Sequence, residues 1–201
     1  MAHELRDPDI RVPLDNWLRQ KHAEEEACVI HELRIPRPSA RIDIALVNGS
    51  LCGYEIKSDV DSLRRLRRQS HSFGHIFDRM FVVTTKRHLA EVRRSIPAWW
   101  GIMSPVLSGE RTEFRPVRKG RRNPKVHVAS VLHILTRAEL LDILRNIDPH
   151  GASTKLKRSE LVDLICAGTS ARAVKGEIRS ALKRRSVGKP QPQFGQSSPA
   201  S

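Results

Sequence analysis

The sequence has few cysteines and few aromatic residues, and each shortage excludes a class of protein. Its three cysteines, Cys28, Cys52 and Cys166, are widely spaced and form no Cys-x-x-Cys pair. A disulfide framework and a zinc ribbon are therefore excluded, and a reducing cytoplasm is the expected compartment. Aromatic residues make up only 4% of the chain, so stacking of bases on exposed rings is not the expected binding mode.

Long apolar runs and phosphate-binding loops are also missing. No run approaches the roughly 20 apolar residues of a membrane span, and residues 1–6 lack the apolar core of a secretory signal. The absence of a glycine-rich phosphate loop and of a serine nucleophile elbow argues against an NTPase or an esterase. His71 and His75 are four residues apart, but neither has an obvious third metal ligand. We expect a soluble cytoplasmic protein without a membrane partner.

Positive charge, by contrast, is abundant and unevenly distributed. The formal net charge is +14 at pH 7. Residues 111–201 contain nineteen Lys and Arg against seven Asp and Glu, whereas residues 1–110 contain seventeen against fifteen. Such a basic half predicts a nucleic-acid partner, most readily DNA, held by salt-dependent phosphate contacts. A charge excess that only keeps the chain soluble is the alternative.

The residues that carry chemistry lie in a predicted β-hairpin. Asn48-Gly49 separates two runs of alternating apolar residues, a strong hairpin signal. A two-residue turn would place Asp43 and Glu55 on opposite faces. A three-residue loop with a left-handed Gly49, or a bulge near Gly53, would place both on one face. That second register also places six apolar residues together on the other face, so we predict this register. The six residues are Ile42, Ile44, Leu46, Cys52, Tyr54 and Ile56.

The two carboxylates suit a hard divalent ion. Mg²⁺ or Mn²⁺ takes oxygen ligands, so Asp43, Glu55 and the backbone carbonyl of Ile56 are the predicted metal ligands. A bound ion would stabilise charge on a phosphodiester and assist the attacking water. Lys57, on the same face, would orient that water or stabilise the transition state. The alternative is a surface hairpin with a Glu–Lys pair, which explains poorly an Asp at the start of an apolar strand.

Asp43 and, after eleven intervening residues, Glu55-Ile56-Lys57 resemble the PD-(D/E)XK nuclease superfamily. Residues 53–66 are similar to a family of small bacterial and prophage proteins near the RecB-like and MmcB-like DNA-repair nucleases. The resemblance covers residues 5–105. It implies an α/β fold with a restriction-endonuclease-like mixed sheet flanked by helices, in the order helix, three strands, helix, strand.

The resemblance also implies supporting residues. RecB-like members carry Gln-x-x-x-Tyr on the helix after the hairpin. Gln69 matches this motif, but Phe73 replaces the tyrosine, which puts in doubt any role that needs a phenol hydroxyl. The superfamily often adds an upstream glutamate; Glu32 and Glu25 both qualify by position, and Glu32 is preferred.

The chain divides into four predicted segments. Residues 1–108 form the nuclease-like core, residues 109–125 a basic linker or β-excursion, residues 126–186 a small basic helical C-terminal module, and residues 187–201 a disordered tail. The helix, basic loop and helix of the module resemble small SAP or helix–extended-loop–helix DNA-binding modules. A plain helical hairpin that closes the nuclease sheet is the alternative. In the core, Pro13 is expected to interrupt the first helix.

The predicted nucleic-acid contacts are basic residues in two places. They are Arg64, Arg65, Arg67 and Arg68 on the helix after the hairpin, and Lys155, Lys157 and Arg158 in the module. A plain solvated helix face is the alternative for the four arginines.

These observations predict an Mg²⁺- or Mn²⁺-dependent DNA endonuclease that acts in DNA repair or in the processing of phage or mobile-element DNA. Its predicted catalytic residues are Asp43, Glu55, Lys57, Gln69 and Glu32. A DNA-binding protein of the same fold with weak or no catalysis is the first alternative, and a protein–protein adaptor is the second. A homodimer is compatible with the sequence.

Overall fold

The chain folds around a six-stranded sheet. The structure is a computed structural model and describes residues 4–36, 39–108 and 111–187. Its helices are α1 (Asp7–Lys21), α2 (Leu66–Phe73), α3 (Leu89–Ser95), α4 (Val128–Leu132), α5 (Arg137–Ile147), α6 (Arg158–Gly168) and α7 (Ala171–Val187). Its strands are β1 (Cys28–Pro36), β2 (Ser39–Val47), β3 (Leu51–Lys57), β4 (Arg79–Thr84), β5 (Gly101–Ser108) and β6 (Arg111–Arg118). Short 3₁₀ helices, Leu63–Arg65 and Lys86–His88, precede α2 and α3.

The sheet is mixed, and its strand order follows the chain from β1 to β6. Neighbouring strands from β1 to β3 are antiparallel, those from β3 to β5 are parallel, and β6 is antiparallel to β5. The parallel pairs need crossover connections, which α2 and α3 provide. Buried residues of α1 pack on one face of the sheet, and those of the other helices pack on the opposite face. The predicted α/β class, a mixed sheet flanked by helices, is confirmed.

The hairpin adopts the predicted register. Ile44 pairs with Tyr54, and the ladder closes on a three-residue loop. Asn48 holds this loop, because its side-chain oxygen accepts a hydrogen bond from the Ser50 amide over 3.0 Å. Gly49 does not have the predicted left-handed φ, since the bonds between Asn48 and Ser50 close the loop without it.

The apolar face of β2 is not continuous, which corrects one part of the predicted pattern. Ile44 packs with Tyr54 on the α1 side of the sheet, whereas Ile42 packs on the opposite side. Around Asp43 the side chains of β2 change from one face of the sheet to the other. The residue opposite Asp43 is Glu32 of β1, and Glu32 has a left-handed φ of 55°. Glutamate rarely adopts this conformation, and the alternation of side chains breaks there. The face predicted for Ile42 is therefore wrong.

Helix α1 runs unbroken from Asp7 to Lys21 through Pro13, so the expected interruption is also wrong. Proline removes one backbone hydrogen bond and crowds the carbonyl four residues earlier. Burial of the apolar stripe offsets this cost, because Ile10, Leu14 and Leu18 are completely buried against the sheet.

The C-terminal helices close the face of the sheet opposite α1. Thr136 and Glu139 form the capping box at the start of α5, as a Thr followed three residues later by Glu predicts. Helices α5 and α6 flank an irregular loop, so the predicted helix–loop–helix pattern is present. Buried residues of α4 to α7 share one hydrophobic core with β1, β2 and α2. Residues 126–186 thus pack on the sheet, and β6 forms the β-excursion within residues 109–125.

Asp78, just before β4, joins α7 to the sheet. Its Oδ2 accepts a hydrogen bond from the Leu51 amide over 3.0 Å, and its Oδ1 accepts one from Lys175 Nζ over 2.7 Å. Because Asp78 is only 9% exposed, these two donors compensate the cost of burying its carboxylate.

Two further expectations concern the chain as a whole. Apart from residue 187, the predicted tail lies outside the described residues. Within the part of the chain that the structure describes, no helix is both long and apolar enough to cross a membrane.

Lys175→Met is expected to lower the free energy of unfolding by about 1–3 kcal/mol, because it leaves the Asp78 carboxylate buried without its cation. Urea denaturation would measure the loss. Arg179→Met, one turn further along α7, is the matched control and should cost less than about 0.5 kcal/mol. Equal losses in the two variants would contradict the anchoring role of Asp78.

Candidate functional site

Four of the predicted site residues meet at the carboxyl end of β3; we call Asp43, Glu55, Lys57 and Gln69 the carboxylate site. Asp43 comes from β2, Glu55 and Lys57 come from β3, and Gln69 comes from α2. Their meeting follows from the topology, since α2 begins shortly after β3 ends and returns over that end of the strand. The Thr84 hydroxyl donates to the Lys57 carbonyl over 2.8 Å and fixes the strand end.

Glu55 is the central residue of the carboxylate site. Its side chain is almost completely buried, and its Oε1 accepts hydrogen bonds from Lys57 Nζ over 2.8 Å and from Gln69 Nε2 over 2.6 Å. The second oxygen, Oε2, is also buried but has no hydrogen-bond partner among the described residues. A buried carboxylate oxygen without a donor is unfavourable, so this atom is well suited to contact a cation.

Asp43 interrupts the ladder between β2 and β3. Backbone pairing ends at Ile44 and Tyr54, and beyond it the Asp43 Oδ2 accepts the hydrogen bond of the Ile56 amide over 2.7 Å. A side-chain oxygen thus replaces a strand carbonyl. The other oxygen, Oδ1, accepts from Arg11 Nη2 over 2.9 Å.

Burial raises the pKa of both carboxylates, and the charge of Asp43 adds to the shift of Glu55. The pKa of Glu55 is raised to about 7, chiefly by burial and then by the negative charge of Asp43, while Lys57 opposes the shift. Burial also raises the pKa of Asp43, against the opposing effects of the Ile56 amide and Arg11. Because two neighbouring carboxylates repel each other, a cation between them would stabilise both. The residues present therefore fit a divalent ion.

The protein ligands for such an ion would be few. In residues 4–36, 39–108 and 111–187, no group of three or more His, Cys, Asp or Glu side chains is arranged to hold a metal. The site offers two carboxylates, Asp43 and Glu55, together with the predicted carbonyl ligand of Ile56. Mg²⁺ often binds through one or two carboxylates and keeps several waters, so the small donor set favours this type of ion over a fully caged one.

The two upstream glutamates lie in different places. Glu32 reaches the carboxylate site through Arg11, whose Nη1 is 2.9 Å from Glu32 Oε1, and its other oxygen contacts Arg41. Glu25 lies at the hairpin loop, where its Oε2 accepts from Asn48 Nδ2 over 2.9 Å. The loop is at the opposite end of β3 from the carboxylate site, so Glu25 is not a candidate.

Arg11 of α1 belongs to this region, and the sequence reasoning missed it. It is 6% exposed. Its Nε and Nη2 donate to the Asp7 carboxylate over 2.6 and 2.9 Å, and its Nη1 donates to the Asp43 carbonyl over 3.1 Å. The available signal was the spacing of Asp7 and Arg11, which places them one turn apart on a helix, next to the inward-facing Ile10.

Phe73, which replaces the tyrosine of the Gln-x-x-x-Tyr motif, is a residue of the hydrophobic core. Phe73 is completely buried, and its ring stacks at 6.3 Å from the ring of Trp100. It therefore contributes packing to the core, and Gln69 is the residue of the motif that reaches the carboxylate site.

The predicted nucleic-acid contacts fall into two groups. Four exposed arginines precede Gln69 in the chain, in the 3₁₀ helix and in α2: Arg64, Arg65, Arg67 and Arg68. Lys155 and Lys157 are exposed in the helical module. Arg158 differs from these, because its guanidinium donates to the carbonyls of His133, over 2.8 Å, and Leu135, and so it supports the module internally.

Comparison with known proteins found a matching family model, a related phage protein and a similar solved structure. The family model described as Bacteriophage P4 protein cII matches residues 1–192. Protein cII of Enterobacteria phage P4 is 28% identical over 187 residues, a match that covers 92% of this chain and 69% of that protein. Among solved structures, a protein of unknown function from Silicibacter pomeroyi is similar, with 18% identity, a TM-score of 0.45 and coverage of 76% of this chain and 99% of that chain.

Glu55→Gln is expected to flatten the pH dependence of stability between about pH 5 and pH 8. The folded-state pKa of about 7 exceeds the ordinary value of 4.5, so in this window the folded protein binds more protons than the unfolded chain. Stability therefore falls as pH rises, by on the order of 2–3 kcal/mol in the wild type. Glutamine cannot titrate and removes this dependence.

Urea unfolding at several pH values, with EDTA present, would measure the effect. Glu91→Gln, an exposed position on α3, is the control and should keep the wild-type dependence. Identical pH profiles for Glu55→Gln and the wild type would show that the Glu55 carboxyl is not perturbed.

Proposed function

We propose that this chain, which belongs to the bacteriophage P4 protein cII family, is a divalent-metal-dependent nuclease that hydrolyses DNA phosphodiester bonds. Mg²⁺ or Mn²⁺ is the expected cofactor. The observation that carries the proposal is the Glu55 carboxylate, which is buried beside Asp43 and held by Lys57 and Gln69, with one oxygen that no described residue hydrogen-bonds. Plain DNA binding requires no such arrangement.

Each residue of the carboxylate site has a distinct role in this proposal. Asp43 and Glu55 would hold the ion, which would supply positive charge to stabilise the phosphodiester oxygens during attack. The Lys57 ammonium, 2.8 Å from Glu55 Oε1, orients the attacking water and offsets developing charge. Gln69 donates to the same Glu55 oxygen from α2, which leaves Oε2 available as a ligand.

The arginines near the site favour a polyanionic substrate. Arg64, Arg65, Arg67 and Arg68 are exposed on the segment that also carries Gln69, so phosphates on either side of the scissile bond can contact them. Lys155 and Lys157 are further exposed basic residues, in the helical module. With DNA as substrate, the protein acts in the cytoplasm, in DNA repair or in the processing of phage or mobile-element DNA.

The order of elements supports the same proposal. Helix α1, strands β1 to β3, helix α2 and strand β4 follow one another, which is the order implied by the resemblance to PD-(D/E)XK nucleases. Phe73 departs from the RecB-like motif, so the proposed mechanism includes no phenol hydroxyl.

A DNA-binding protein of the same fold with weak or no catalysis is the second candidate. The contact of 2.9 Å between Arg11 Nη2 and Asp43 Oδ1 favours it, because a guanidinium already compensates the charge of a proposed metal ligand. In this case the basic surfaces would bind DNA while the carboxylates serve only the fold.

Cleavage of a labelled panel of linear, nicked, flapped and single-stranded DNA with Mg²⁺ or Mn²⁺ separates the two candidates. The wild type should cleave at least one substrate, and EDTA should abolish cleavage. Asp43→Asn and Lys57→Met should each lower the rate by about 10²-fold or more, because each removes charge stabilisation at the reacting phosphate. Asp142→Asn, on the exposed side of α5, is the control and should keep full activity.

Circular dichroism would show that each variant is folded. Salt-dependent DNA binding without cleavage in either metal, unchanged by the two site substitutions, would reject the nuclease and favour the second candidate.

The arginines of α2 and its preceding turn are tested by DNA binding. Replacing Arg64 and Arg68 together by Gln should weaken binding and lower the slope of log K against log salt concentration, by about 0.9 for each phosphate that is no longer neutralised. The matched control replaces Arg93 and Arg94, two exposed arginines of α3, and should keep the wild-type slope. Equal effects of the two pairs would show that only total charge matters.

A further inference from the structure

Arg11 places a buried positive charge against three carboxylates. Its Nη2 lies 2.9 Å from Asp43 Oδ1, and its Nη1 lies 2.9 Å from Glu32 Oε1. Asp7 accepts two further hydrogen bonds from the same guanidinium. Groups from α1, β1 and β2 therefore converge on one fixed cation beside the carboxylate site.

The position of Arg11 does not depend on the Asp43 carboxylate. Asp7 lies one turn earlier on the same helix and binds the guanidinium through both of its oxygens, while Glu32 contacts it from β1. These two carboxylates already satisfy a buried guanidinium. Asp43 can therefore share its charge with another cation without leaving Arg11 unpaired.

Asp43, in contrast, has both of its oxygens in use. Oδ2 is fixed to the Ile56 amide, and Oδ1 accepts from Arg11. A divalent ion that binds either oxygen of Asp43 lies close to the guanidinium held by the same carboxylate, and positive charges this close repel each other. Lys57 adds a second positive charge on the Glu55 side.

We propose that Arg11 opposes divalent-ion binding at the carboxylate site and makes that binding depend on an anion that balances the added charge. This regulation rests on the proposed function and concerns the same site. The anion of matching chemistry is a phosphate of the nucleic-acid backbone. Metal and DNA then bind cooperatively, and each strengthens the binding of the other by the same factor.

Titration of the full chain with Mn²⁺ alone, followed by the electron paramagnetic resonance signal of free Mn²⁺, tests the first half of the proposal. Arg11→Met and Arg11→Gln remove the charge and should lower the Kd for Mn²⁺ about tenfold or more. Arg11→Lys keeps the charge and should stay near the wild type. Arg19→Met is the control, because Arg19 lies on the same helix but pairs with Asp15; its Kd should change less than about twofold.

The dependence of metal binding on an anion can be tested first in the wild type, so this test does not require that a variant folds. A short phosphorothioate DNA duplex, chosen because it resists hydrolysis, should lower the Kd for Mn²⁺ about tenfold in the wild type. In Arg11→Met the same duplex should lower it by a much smaller factor, since the opposing charge is already gone.

Unchanged or weaker Mn²⁺ binding in both neutral variants would overturn the proposal. So would a duplex that leaves the Mn²⁺ affinity of the wild type unchanged. In either case, Mn²⁺ binding that is abolished in Asp43→Asn would leave the proposed nuclease standing. No Asp43-dependent binding in the wild type or in the Arg11 variants would overturn both.

Discussion

The burial of two neighbouring carboxylates, Asp43 and Glu55, is the constraint around which this end of the sheet is arranged. Both side chains are largely removed from water, and the pKa of Glu55 is raised to about 7. Each carboxylate is paired with a separate cation, Arg11 for Asp43 and Lys57 for Glu55. Because these groups come from α1, β2 and β3, charge compensation at the site also joins the elements that build it.

The backbone follows the same constraint. Asp43 lacks regular strand pairing with β3, and its carboxylate accepts a hydrogen bond from the Ile56 amide instead. Opposite Asp43, Glu32 adopts a left-handed φ of 55°. Beyond this point β2 faces the other way, so Ile42 packs on the opposite side of the sheet from Ile44. An unfavourable backbone conformation that the surrounding fold maintains is typical of functional sites, and here it lies beside the predicted acid pair.

The sequence predicted the hairpin register because two independent requirements, the apolar pattern and the meeting of the carboxylates, agreed on it. The face of Ile42 could not be predicted, since it depends on a left-handed Glu32 that no local signal marks. Pro13 predicted a helix break, but the free energy gained by burying the neighbouring apolar residues offsets the cost of a proline inside the helix. Arg11 was missed because the spacing of Asp7 and Arg11 indicates only a pair within one helix, while its other partners, Glu32 and Asp43, lie in strands distant in the sequence. Gln69 was found only through resemblance to a family motif.

The decisive measurement is a crystal structure of the protein with Mn²⁺ and a short phosphorothioate DNA duplex, in which anomalous scattering locates the metal. We expect a single strong anomalous peak between the carboxylates of Asp43 and Glu55, with Glu55 Oε2 among the metal ligands. If this complex showed no peak there at saturating Mn²⁺, with Arg11 still bound to Asp43, metal binding by the two carboxylates would be rejected. The carboxylate site would then serve the fold, and the basic surfaces alone would carry the function.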